Sequence, residues 1–407
     1  MSPTGKWHAI SRSSKGTLMQ DSQLTGNWNY PTSISAGAGR INALPDICMT
    51  IGIRAPLLVT DPGVAELSML HQAQQACLDA GLECAVFSAI KGNPNGANVK
   101  AGVVAYREGN HDGVIAFGGG SALDAGKAIA LMAGQERPLW DFEDRGDNWT
   151  LVRERGVAPV VAVPTTAGTG SEVGRAAIIT DEELHVKKII FHPLMLPQQV
   201  ILDPLLTVGL PPHITAATGM DALSHNLEAL CSPNYHPMAA GIALEGMRLV
   251  KEALPIVMKN GNDLDARMHM LVASTMGATA FQKGLGAMHA LAHPLGALYD
   301  AHHGLLNAIL MPYVLVANRQ SISARLGRAA AYLGLEENSY EAFLAWVLDL
   351  RQRIGIPSNL REIGIGDEQQ QRVGEMAARD PSAAGNPVPL AAEDYQALFA
   401  RAVAGEL

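Results

Sequence analysis

Gly113-Val114-Ile115-Ala116-Phe117-Gly118-Gly119-Gly120-Ser121-Ala122-Leu123-Asp124-Ala125-Gly126-Lys127 is the stretch on which the fold turns. A short apolar run reads as a buried strand, and it leads straight into three glycines. The small and apolar residues beyond them read as a helix beginning near Ala122. Glycine lets the backbone approach a ligand closely. A helix N-terminus adds unpaired N–H groups and the positive end of the peptide dipoles, a combination that suits a pyrophosphate. Asp124 and Lys127 fall on successive turns of this helix. The turn is neither GxGxxG nor a phosphate loop with lysine directly after the last glycine, so these residues alone leave a purely structural turn open.

Upstream, the same alternation recurs. Pro56-Leu57-Leu58-Val59-Thr60 reads as a buried strand closed by the turn residues Asp61-Pro62-Gly63. A helical stretch over 65–80, a strand at 83–87 and a second helical stretch reaching about 108 follow. Downstream, 160–163 and 200–202 read as further strands. Strands alternating with helices specify an α/β domain with a mostly parallel sheet. A second polar loop, Pro164-Thr165-Thr166-Ala167-Gly168-Thr169-Gly170-Ser171-Glu172, follows one of these strands. It gathers hydroxyls at the strand end where open α/β sheets bind ligands; an ordinary Ser/Thr turn is the plainer alternative.

After Asp203-Pro204 helical periodicity takes over and strand signals fade. A boundary is expected near 205, dividing a Rossmann-like α/β dinucleotide-binding domain (30–205) from an all-helical metal-binding domain (206–407). Residues 1–29 read as a polar leader. Three windows in the helical half concentrate metal-binding chemistry. Gly219-Met220-Asp221-Ala222-Leu223-Ser224-His225 sets a carboxylate and an imidazole four apart, on one helix face. His289 and His293 repeat that spacing, and His302-His303 follow shortly. Five of the 13 histidines fall in these windows. Imidazole with carboxylate suits a divalent ion such as Fe(II), Zn or Mn. The surroundings are rich in Ala, Gly and Leu, so the polar groups are expected to be buried and in need of partners, which a shared ion supplies.

The motifs GGGSALDAGKAIA at 118–130, PTTAGTGSEV at 164–173, GMDALSHNLEAL at 219–230 and HALAHPLGALYDAHHG at 289–304 resemble, in order and spacing, those of the iron-containing alcohol dehydrogenases. The resemblance runs from about Pro31 to the C-terminus. It implies a dehydroquinate synthase-like architecture with the active site between the two domains, and metal ligands at Asp221, His225, His289 and His303. It implies that His293 lies near nicotinamide and substrate as a proton relay. Gly119, Gly120 and Ser121 would hold the pyrophosphate. Thr165, Thr166 and Thr169 would flank the cofactor, Lys187 would reach its ribose, and Asn93 would be a further contact. Asp61 falls at the adenosine-ribose position, where a carboxylate favours NAD over NADP. The implied reaction is reversible hydride transfer between an alcohol and the nicotinamide, with Fe(II), or Zn as the alternative.

The chain departs from the pattern in places. His302 stands where proline usually precedes the last ligand, and it is expected to face solvent. Lys283 and Arg175 add positive charge near the expected cleft and raise the idea of an anionic substrate such as a hydroxy acid. Pairing with local acids, or exposure, is the alternative for both. Three other activities remain open: a lyase resembling dehydroquinate synthase, a zinc polyol dehydrogenase resembling glycerol dehydrogenase, and a nucleotide-binding protein without turnover. Composition narrows the partners. The 407 residues are 48% hydrophobic and carry a formal net charge of −9, which argues against nucleic acid or an anionic membrane surface. No apolar run approaches the roughly 18 residues of a membrane helix, and no secretory signal is evident. Cys48, Cys77, Cys84 and Cys231 form no CxxC pair and read as free thiols. A cytoplasmic homo-oligomer acting on a small alcohol or aldehyde is expected.

Overall fold

The structure, a computed structural model, describes residues 30, 32–184 and 186–407. The expected leader at 1–29 lies outside the described residues.

Six parallel strands form the first half's sheet: β1 (Ser33–Ala36), β2 (Pro56–Val59), β3 (Ala85–Phe87), β4 (Gly113–Gly118), β5 (Val160–Pro164) and β8 (Gln199–Leu202), in the order β1-β8-β5-β4-β2-β3. The connecting helices are α1 (Leu44–Thr50), α2 (Pro62–Ala65), α3 (Ser68–Asp79), α4 (Gly96–Glu108) and α5 (Gly120–Met132). Alternate side chains explain why the strands read as unbroken apolar runs. Leu58, Ile115, Phe117, Val161, Val163 and Ile201 share one core with Leu44 and Leu70 of α1 and α3. Leu57, Val59, Val114, Ala116, Val160 and Ala162 belong to the opposite core, with Val99, Val103 and Ile129 of α4 and α5. Both faces are covered, as a parallel sheet requires.

Two features were not legible beforehand. β1 is a short edge strand, largely exposed, so it lacks the apolar signature of its neighbours. A two-stranded antiparallel hairpin, β6 (Ala176–Asp181) and β7 (Val186–Phe191), lies outside the main sheet. Only one face of a hairpin is covered, so the residues of β6 alternate in burial, while those of β7 are mostly half-buried.

The helical half comprises α6 (Pro212–Cys231), α7 (Pro237–Lys259), α8 (Leu264–Ala280), α9 (Ala287–Tyr299), α10 (His303–Tyr332), α11 (Tyr340–Arg353), α12 (Gln370–Arg379) and α13 (Ala392–Ala404). α6 is its axis. Every residue from 215 to 231 is buried, and α7, α8 and α10 pack around it. A helix apolar on all sides belongs in a core, so any polar side chain on α6 is held in a dry place. The nearest strand upstream, β8, ends at Leu202.

Candidate active site

The sheet's order reverses beside β2: β3 lies on one flank and β4 on the other. Their carboxyl ends frame a crevice of the kind in which open α/β sheets bind ligands. Asp61 follows β2 there, as the N-cap of α2. One of its carboxylate oxygens accepts from Val64 N at 3.0 Å and caps α2. The other lies close to Gly118. Gly118 has φ +145°, and a Cβ on it would come within 2.8 Å of the Ala122 methyl, so only glycine serves at this bend. Helix α5 begins at Gly120, two residues earlier than expected. Gly119 is its N-cap and offers no side-chain cap, which leaves the first-turn N–H groups available to an anion. A Cβ on Gly120 would meet the Thr169 side chain at 2.5 Å, so the glycine turn and the second loop close on each other. Thr166 packs beside Gly119, and Thr165 N donates to Gly118 O at 2.9 Å. Ser121 donates to the Gly92 carbonyl.

Asn93 and Lys187, far apart in sequence, meet here. Lys187 Nζ donates to Asn93 Oδ1 at 3.0 Å, and Asn93 Nδ2 donates to Asp300 Oδ1 at 2.5 Å. Burial lowers the Lys187 pKa, opposed by the charges of Asp124, Asp300 and Asp221. Asp124 and Lys127 prove to be braces. Asp124 accepts from Ser171 Oγ at 2.5 Å and from Ile178 N at 2.8 Å. The buried Lys127 pairs with Asp124 at 3.2 Å and donates to Ser171 O at 3.0 Å and to Ala176 O. Together they fix the second loop against α5.

Asp221, His225, His289 and His303 converge. One donor atom from each lies within 4.8 Å of the other three. Donors bonded at about 2.1 Å to one ion lie within about 4.2 Å of each other, so small side-chain rotations bring these four onto one centre. α6 supplies Asp221 and His225, α9 supplies His289, and α10 supplies His303. Ring orientation fits an ion as well. His225 Nδ1 faces the Gly168 carbonyl at 3.2 Å, and a carbonyl only accepts, so Nδ1 carries the proton and Nε2 is left as a donor to metal. His289 Nδ1 meets Glu228 Oε2 at 2.7 Å, with the same result. Burial holds the His289 and His303 pKa values well below the ordinary histidine value, with neighbouring histidines adding to the effect. Neutral imidazoles are the ligating form.

Sequence reading missed three side chains here. Glu228 lies three residues past His225, on the same face of α6, and that spacing was a usable signal. Asn307, one turn beyond His303, brings Nδ2 within 2.9 Å of Asp221 Oδ1 and 3.2 Å of both His289 Nε2 and His303 Nε2. Asp380 accepts from His293 Nδ1 at 2.8 Å. Nothing in the sequence linked residues so far apart. The pair orients His293, whose ring stacks on His303 with centroids 5.4 Å apart.

Lys283 and Arg175 are both engaged with groups of the protein. Lys283 is buried and does not face the cluster. Its ammonium donates to the carbonyls of Ala229, Leu230 and Ser232 at 2.8, 3.0 and 2.6 Å, closing the C-terminus of α6. None of these partners is an acid. Helix-end carbonyls attract a cation, which is why lysine sits there. The Arg175 guanidinium lies over the Phe191 ring, 5.5 Å from its centroid. His302 is exposed and accepts from Leu305 N, capping α10.

Three imidazoles and a carboxylate beside a crevice of this kind form a candidate metal site. Comparison with known proteins identifies which kind. Residues 31–204 match the family described as "Iron-containing alcohol dehydrogenase", and residues 215–403 match "Fe-containing alcohol dehydrogenase family, C-terminal". The 4-hydroxybutyrate dehydrogenase of Cupriavidus necator is 40% identical, covering 91% of this chain and 98% of that one. The crystal structure of a 1,3-propanediol oxidoreductase superposes with a TM-score of 0.86 at 33% identity, covering 92% and 99%. That of sulfoacetaldehyde reductase from Bifidobacterium kashiwanohense, in complex with NAD+, gives a TM-score of 0.83 at 29% identity, covering 93% and 99%. The chain belongs to the iron-containing alcohol dehydrogenase family and is an alcohol oxidoreductase of that type. Its membership sets aside the lyase and the protein without turnover.

Proposed function

We propose that this enzyme interconverts a short primary alcohol, ω-hydroxy acids included, and its aldehyde, using NAD and an ion held by Asp221, His225, His289 and His303. The observation that carries this reading is the bond between His225 Nδ1 and the Gly168 carbonyl, which ties the four-donor cluster to a loop of the nucleotide crevice. When bound, the ion supplies Lewis acidity towards the substrate oxygen, and the nicotinamide supplies or takes the hydride. The chain's own residues bind, orient and move the proton. Gly119, Gly120 and Ser121 receive the pyrophosphate at the start of α5. Thr165, Thr166 and Thr169 line the facing loop, and Asn93 and Lys187 reach the ribose side. His293, held by Asp380, carries the proton between the substrate oxygen and solvent.

The 40% identity to a 4-hydroxybutyrate dehydrogenase supports the hydroxy-acid part; the Lys283 ammonium, taken up by helix-end carbonyls, does not. Residues 30–205 and 206–407 act as two domains with the site at their junction. The four free, buried cysteines suit a reducing compartment, and among the described residues no helix is long and apolar enough to cross a membrane. We place the enzyme in the cytoplasm, as a homo-oligomer.

The test is an assay of anaerobically purified protein loaded with Fe(II) or Zn, against 4-hydroxybutyrate, 1,3-propanediol and ethanol, with NAD and with NADP. NAD-linked turnover is expected, with kcat/KM for 4-hydroxybutyrate at least tenfold above that for ethanol. The reverse order rejects the hydroxy-acid assignment, and no turnover with any of them rejects the reading. Asp61 bears on the choice of nucleotide. Its carboxylate beside Gly118 repels a 2′-phosphate, and repulsion between like charges brought together costs several kcal/mol. Asp61→Gly is expected to narrow the preference for NAD over NADP by about tenfold or more. An unchanged kcat/KM ratio would remove Asp61 from the ribose site.

A further inference from the structure

Glu228 is a buried carboxylate that the reaction does not require, yet it makes three close contacts. Its Oε2 accepts from His289 Nδ1 at 2.7 Å and from Gly286 N at 2.8 Å; its Oε1 accepts from Met288 N at 2.7 Å. Gly286 is the N-cap of α9 and has no side chain to cap with. The N–H groups that a Ser or Asp cap would satisfy are instead satisfied across the core, by a side chain of α6. The glycine leaves room for this. A Cβ at 286 would stand 2.9 Å from Glu228 Oε1 and 3.0 Å from Asn386 Oδ1. Burial in such a place is costly for a charge unless N–H groups surround it, so a carboxylate here has a task.

We infer that Glu228 is a positioning residue for the metal, an inference that rests on the ligand set proposed above. Three of the four ligands ride on α6 and α9. One carboxylate joins those two helices, fixes the height of α9 through its first turn, and fixes the rotation of the His289 ring. It holds the Nδ1 proton, so Nε2 faces the ion unprotonated. Its negative charge also makes that nitrogen a better donor. Outer partners of this kind change metal affinity by about 10–100-fold when they are removed.

The variant Glu228→Gln keeps size and shape but cannot accept all three N–H groups, because its NH2 group meets a donor. Zinc Kd by chelator competition is expected to weaken about 10–100-fold. NADH affinity of the metal-free proteins, read by fluorescence, should stay within twofold of wild type, which a general loosening of the fold would not leave untouched. Glu228→Asp keeps the charge but draws the carboxylate back from His289, and it is expected to lose about tenfold. It serves if Glu228→Gln does not fold. Wild-type zinc affinity in a folded Glu228→Gln or Glu228→Asp protein overturns the inference. His289→Ala is the companion control. If wild type binds zinc, His289→Ala does not and the Glu228 variants match wild type, only the role of Glu228 fails. If wild type itself binds no zinc, the ligand set fails and this inference with it.

Discussion

His289→Ala is expected to leave a folded protein without its metal and to lower kcat by roughly a thousandfold or more. The ring is almost wholly buried, with 1% of its surface exposed, and it stands at the centre of the cluster. Its ring centroid lies 4.7 Å from that of His225 and 5.3 Å from that of His303. Removing it takes away one of four donors, and the remaining three no longer surround an ion. The fold is spared because Glu228 keeps its bonds to Gly286 and Met288, so α9 retains its start. Elemental analysis of anaerobically purified wild type and variant checks the result, with circular dichroism beside it. About one iron or zinc per chain in wild type, and little in the variant, is the expected outcome. Equal metal in both would remove His289 from the site.

Lys283→Met is expected to destabilise the protein by roughly 2–4 kcal/mol without changing which alcohol it prefers. The lysine satisfies three carbonyls at the end of α6, and methionine leaves the Ala229 and Leu230 carbonyls to find other donors in a dry place. The contribution depends on pH. Burial, with repulsion from Arg325, pushes the Lys283 pKa down to about 8 from the ordinary lysine value of 10.5. Between those values the unfolded chain holds a proton that the folded protein has released, so wild type gains stability as pH rises. Methionine has no such term. The gap between the two proteins is therefore narrower at pH 7 than at pH 9.5, and denaturant unfolding at both values measures it. kcat/KM for a hydroxy acid and for a neutral alcohol should change by the same factor. A selective loss on the acid would restore Lys283 to the substrate site.

Much of the architecture could be read from local pattern. Val114 to Phe117 is apolar on both faces because both faces of the sheet are covered, and the glycines that follow are demanded by the bend at Gly118. The Asp221–His225 and His289–His293 spacings were legible because a helix returns to the same face every four residues. What stayed hidden depends on distance along the chain or on mixed exposure. β1 and the β6–β7 hairpin have exposed faces and so dilute the apolar signal. Asp380 reaches His293 only because the segment after α12 folds back over α9. Lys283 misled because a positive charge near a cleft looks the same in sequence whether it faces a ligand or the carbonyl end of a helix. Glu228 lay on the visible face of a readable motif, and its meaning depended on the uncapped start of another helix.

The bond from His225 to the Gly168 carbonyl has a thermodynamic consequence. In the ligand set proposed above, His225 both ligates and, through its bond to Gly168, steadies the loop proposed to face the nucleotide, so filling either site is expected to order part of the other. Linkage between two equilibria is reciprocal: whatever factor the ion adds to nucleotide affinity, the nucleotide adds to ion affinity. On that ligand set, bound NAD is expected to firm the hold on a loosely bound divalent ion, and a shortage of either to weaken the grip on both.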